Sequence, residues 1–133
     1  MKRYFWTFLA IALVVVASVV PVPETPMGDV PLFDKWVHFL MYGAIACAAW
    51  FDCYRHDDDR RFTFRTLCWT LLCPVLLGGV LELVQAYLTT TRSGEWLDFV
   101  ADALGAVLAF PIGYFLLRPW AGTVARKLKM NIK

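Results

Sequence analysis

Leu97–Leu117 reads LDFVADALGAVLAFPIGYFLL. The stretch is about as long as the ~20 residues a helix needs to cross ~30 Å of hydrocarbon. Ala101, Gly105, Ala109 and Gly113 recur at four-residue spacing. Such a stripe of small residues lets a second helix approach closely in a membrane. Asp98 and Asp102 lie beside this stripe near one end, so they are expected to face the interior rather than lipid.

Outward from this stretch, three more apolar runs appear. They cover about Tyr4 to Val22, Lys35 to Cys53, and Arg65 to Leu88. Backbone polar groups in lipid must be satisfied within the segment, which favours helices, and no alternating pattern suggests a barrel. The predicted fold is all-α: one domain over residues 1–133, a bundle of about four transmembrane helices. Composition agrees. Hydrophobic residues make up 59% of the 133, and mean hydropathy is +0.56, against about 45–50% apolar in soluble domains. The first run also looks like a signal peptide. Its exit at Ala17-Ser18-Val19-Val20-Pro21 makes a poor cleavage site, so retention as a helix is expected.

Lys and Arg set the orientation. Lys2 and Arg3 precede the first helix. Arg55, Arg60, Arg61 and Arg65 gather around the second loop, and residues 118–133 form a basic tail. Both termini and the second loop are therefore predicted to be cytoplasmic. The run Asp57-Asp58-Asp59 reads as a solvated face, and Pro21–Pro26 as an extended external connector. A net charge of +2 is too small to suggest nucleic acid. The multi-pass cytoplasmic (inner) membrane is the expected location.

Ionisable residues in membrane helices are expensive and so tend to be functional. The second run opens with Asp34, Lys35, His38 and Tyr42, and Asp34, His38 and Tyr42 share one face. The third ends with Glu82 and Gln85, three apart on one face. The fourth opens with Asp98 and Asp102. Arg92 lies in the loop between the last two runs. With the predicted topology all of them fall at the outer end, where they would line a polar pocket.

Each residue also has a plainer role. Asp34 suits an N-cap, and Asp98 suits the positive end of a helix dipole. Lys35 and Arg92 could anchor helix ends, and His38 could be a buried, satisfied histidine. Trp6, Trp36, Trp50, Trp69, Trp96 and Trp120 fit an interfacial aromatic belt. Cys47, Cys53, Cys68 and Cys73 fit buried reduced thiols. His38 with Asp34, Glu82, Asp98 or Asp102 could hold a divalent cation, but with no zinc-type spacing, no HExxH and no second histidine nearby, no metal and no cofactor is expected. Ser93 and Thr89–Thr91 lack the context of an activated nucleophile. Proton transfer by Glu82 and His38 is chemically available. Pro74 and Gly78-Gly79 are expected to break the third helix beside Glu82, and Pro111 to do the same in the fourth. No second polar layer is expected near the cytoplasmic side, which disfavours a transporter.

The pattern Asp34-Lys35-x-x-His38-Phe39-x-x-Tyr42, then Glu82-x-x-Gln85, Arg92 and Asp98-x-x-x-Asp102-x-x-Gly105 resembles the VanZ-like family over about residues 31–117. Many family members carry asparagine where Asp102 stands. The resemblance implies a small bacterial envelope protein with several helices, whose namesake raises resistance to teicoplanin. Three functions follow as expectations. The first is an outer-leaflet pocket for membrane lipid or a lipid-linked envelope precursor. The second is an enzyme acting on such a precursor. The third is an assembly protein whose polar residues only join helices.

Overall fold

The structure, a computed structural model, describes residues 2–20, 32–55, 61–88 and 95–131. Pro21–Pro26, His56, Asp57–Asp59, Arg60, Thr89–Thr91, Arg92, Ser93 and Lys133 lie outside the described residues.

Helix α1 spans Phe5–Val19, after a tight turn at Lys2–Tyr4. Helix α2 spans Phe33–Arg55, and α3 spans Phe64–Leu88. Helix α4 runs Trp96–Ile112, passes through a π-helical turn at Gly113–Leu117 and continues as Arg118–Asn131. The segment expected as a basic tail is thus mostly more helix, with Ala121 packed against Trp50, Cys53 and Tyr54. Three stretches, Phe33–Arg55, Phe64–Leu88 and Trp96–Lys127, are long and apolar enough to cross a membrane. The chain is therefore a multi-pass membrane protein, all-helical among the described residues. At 15 residues, α1 is a shorter apolar helix.

Pairwise contacts give the helix directions. Thr7 meets Asp52 and Tyr4 meets Trp69 at one end. Gln85 meets Ser18, and His38 meets Asp102, at the other. Helices α2 and α4 therefore run parallel, with α1 and α3 antiparallel to them. Helix α2 is central and packs most extensively on α4. The small-residue stripe explains that contact. A Cβ on Gly105 would strike the carbonyl of Phe39, and one on Gly113 would fall into the Trp50 indole. Ala101, Ala106 and Ala109 are buried in the same seam. Leucines on the outer faces, among them Leu40, Leu76, Leu83 and Leu116, stay exposed, as lipid contact requires.

The π-helical turns share a position relative to proline. Cys68–Leu72 in α3 ends two residues before Pro74, and Gly113–Leu117 in α4 ends two residues before Pro119. Proline has no N–H for the carbonyl four residues earlier, and its ring crowds that carbonyl. A wider turn relieves the crowding. The expected break at Pro74 thus takes the form of a widened turn. In α4 the wide turn precedes Pro119 rather than sitting at Pro111, around which the helix keeps its α form.

Three other expectations are corrected. Trp50 is no belt residue: it is fully buried, stacked on Tyr54 at 5.5 Å and edge-on to Phe110 at 5.3 Å. Its indole fills the space that Gly113 leaves open. A second polar layer does exist near the basic end. Buried Asp52 accepts hydrogen bonds from the Thr7 backbone N–H (2.8 Å) and hydroxyl (3.0 Å), which ties α1 to α2. All four cysteines are free, but only Cys53 is buried, and the other three are half-buried.

Candidate functional site

Helix α2 enters the polar end with Leu32 in the left-handed region at φ 63°. The Leu32 carbonyl accepts the Trp36 N–H, so Leu32 occupies the capping position. Asp34 falls in the first helical turn and is not the N-cap. Its neighbour Lys35 reaches across to α4. The Lys35 Nζ lies 2.6 Å from Glu95 Oε2 and 2.8 Å from Asp98 Oδ1. Asp98, in the first turn of α4, is buried. This ion pair aligns the starts of the two parallel helices.

One turn deeper, His38 faces the interior. Its Nδ1 lies 2.9 Å from Asp102 Oδ1 and 3.7 Å from Glu82 Oε1. Three helices therefore converge on a single imidazole. Tyr42 stacks parallel to the His38 ring, with centroids 6.5 Å apart. Asp102 is completely buried, and Glu82 is 8% exposed. Gly78 makes room for Asp102, since a Cβ there would stand 2.7 Å from Asp102 Oδ2. Glu82 Oε2 accepts the Glu95 backbone N–H at 2.9 Å. Glu82 Oε1 and Asp102 Oδ2 are buried without a hydrogen-bond partner among the described residues. Buried carboxylate oxygens normally find donors, so both point to a proton, a cation or a donating ligand.

Gln85 lies on the same face of α3 but serves a different purpose. Its Nε2 donates to the Ser18 carbonyl at 3.0 Å and fastens α1 to α3. Beside Glu82, α3 and α4 leave an apolar groove of about 560 Å³, lined by Gly79, Leu83, Ala86, Trp96 and Phe99, with Glu82 and Glu95 as its acidic residues. Helix α3 thus presents Glu82 both to the His38 cluster and to an open apolar channel.

Of the predicted pocket residues, the structure unites Lys35, His38, Tyr42, Glu82, Asp98 and Asp102, with Asp34 at the rim. Arg92 lies outside the described residues. Glu95 was missed, although it sits three residues before Asp98, one helical turn away. Asp52 was also missed. An acid among apolar residues near the end of α2 was the available signal.

Two groups of side chains offer ligand atoms within 4.8 Å of one another: His38, Glu82 and Asp102, and also Asp34, His38 and Asp98. No local spacing encodes the first group, because each member comes from a different helix. Comparison with protein-family models, with curated proteins and with solved structures finds no match to this chain.

Proposed function

We propose that this chain is a four-span protein of the bacterial cytoplasmic membrane that binds an amphiphile at its outer end. The polar head would sit at Glu82, His38 and Asp102, and the hydrocarbon part would lie in the groove between α3 and α4. Both termini would then be cytoplasmic. Supporting this orientation, Arg55, Arg61, Arg65, Arg118 and Arg126 belong to the end opposite the acidic cluster.

One observation carries the proposal: a buried carboxylate oxygen without a hydrogen-bond partner among the described residues belongs to a residue that also lines an apolar channel. Glu82 thus faces polar and lipid-like surroundings at once. The cluster holds more carboxylates than cations, so it favours a head that donates hydrogen bonds, through hydroxyl or ammonium groups. The sequence resemblance to the VanZ-like family supports an envelope role, with a lipid-linked precursor as ligand and an effect on teicoplanin-type susceptibility.

The test is lipid retention by the purified full chain, read by native mass spectrometry. Glu82→Gln and the groove-filling Ala86→Trp should each lower retention at least about tenfold, the effect of losing ~1.4 kcal/mol. In cells, Glu82→Gln and His38→Ala should abolish the susceptibility phenotype at unchanged protein abundance. Equal lipid retention in wild type and both retention variants would rule the pocket out.

A further inference from the structure

We propose that His38, Glu82 and Asp102 together bind one divalent transition-series cation, of the Zn²⁺, Mn²⁺ or Fe²⁺ class. The site combines one imidazole with two carboxylates, a donor set that suits these ions better than Mg²⁺ or Ca²⁺.

The spacing fits. Metal–nitrogen and metal–oxygen bonds of about 2.0–2.2 Å place neighbouring ligand atoms about 3.0 Å apart at right angles and about 3.4 Å apart in a tetrahedron. His38 Nδ1 stands 2.9 Å from Asp102 Oδ1 and 3.7 Å from Glu82 Oε1. The three ligand atoms lie within 4.8 Å of one another. Small movements would centre an ion among them.

Charge points the same way. Lys35 already pairs with Asp98. That leaves Glu82 and Asp102, both buried, with one imidazole between them. Even a protonated His38 balances only one of the two carboxylates. Glu82 Oε1, the atom nearest His38 Nδ1 on that side, is also buried with no hydrogen-bond partner among the described residues. A divalent ion would answer both deficits at once. The neighbouring group of Asp34, His38 and Asp98 is a poorer candidate, because Lys35 occupies Asp98 and Asp34 is exposed. Three protein ligands leave coordination positions for water or for an oxygen of a bound head group.

The proposal shares its residues with the amphiphile pocket but does not need the groove. The full chain is purified in detergent, stripped with a chelator and titrated with Zn²⁺, Mn²⁺ or Co²⁺. Wild type should retain one equivalent per chain through gel filtration, and Co²⁺ should give a visible absorption band. His38→Ala, Glu82→Gln and Asp102→Asn should each weaken binding by more than the ~10–100-fold typical of a change outside the ligand set. Zn²⁺ should raise the melting temperature of wild type alone, since a ligand of the native state stabilises it. Wild type that holds no cation, so that the carboxylates share protons only, would overturn the proposal whatever the variants do. So would undiminished binding in all three variants. Lipid mass spectrometry on the metal-stripped protein separates the two ideas. Lipid without cation sinks this site alone, and cation without lipid sinks the amphiphile pocket alone.

Discussion

His38 shows how much one side chain depends on its surroundings. Taken singly, a histidine near the start of an apolar helix is most simply a buried, satisfied residue. Here it stands between carboxylates from two other helices, 2.9 Å from one and 3.7 Å from the other. Gly105 makes the same point for packing. Its missing side chain is what lets α4 touch the backbone of α2 at Phe39 and Gly43. Gly105→Leu is expected to force the helices apart and lower stability by at least the ~1–3 kcal/mol of an overpacked core. A denaturation series in detergent checks this, with the exposed Leu104→Ala as the control. A smaller loss at Gly105 than at Leu104 would refute the close-approach account.

At the scale of the element, α3 is the most informative helix. Its polar face was legible in advance, because Glu82 and Gln85 are three apart in an apolar run. The shape of the helix was less so. Pro74 announced a break, but not that the chain would widen into a π turn at Cys68–Leu72. The π turn holds one residue more than the α turn it replaces. Deleting Leu72 should therefore close it to an ordinary turn and leave Glu82 on its face. Deleting Leu76, beyond the π turn, should rotate one part of the helix against the other by about 100° and part Glu82 from His38. Thermal stability and lipid retention measured on both deletions give the answer. If the Leu72 deletion proves as harmful as the Leu76 deletion, the π turn does not act as an absorbed insertion. Helix α4 shows the converse. Its basic end was read as a tail because charge masks helical continuity, yet Ala121 is buried against the Trp50 cluster. Trp50 was misassigned for a related reason: its burial depends on Gly113, 63 positions away on another helix.

For the whole molecule, the two ends differ in kind. One gathers carboxylates and the imidazole, and the other gathers arginines, aromatic rings and the Thr7–Asp52 tie. The proposed orientation, which follows the positive-inside rule, puts the arginine end in the cytoplasm. In a chain whose four native cysteines are replaced, Leu32→Cys should react with an impermeant maleimide in intact cells. Met130→Cys should react only after permeabilisation. Both sites are exposed at opposite ends, and the reverse labelling pattern would invert the topology.

What the linear order of residues determined is the membrane setting, the helical class and the helix face on which most of the polar groups lie, because hydropathy and the 3.6-residue repeat are properties of a single segment. The small-residue stripe of α4 was equally local. Which face meets which was decided only in the folded chain. His38 pairs with Asp102 and lies near Glu82, Lys35 pairs with Asp98 and Glu95, and Gln85 turns to Ser18. The physical reason is that periodicity places a side chain on its own helix, whereas its partner depends on how far each neighbouring helix is turned. That rotation follows from backbone contacts such as the one at Gly105 and from the widened turns before Pro74 and Pro119, which involve residues far apart in the chain.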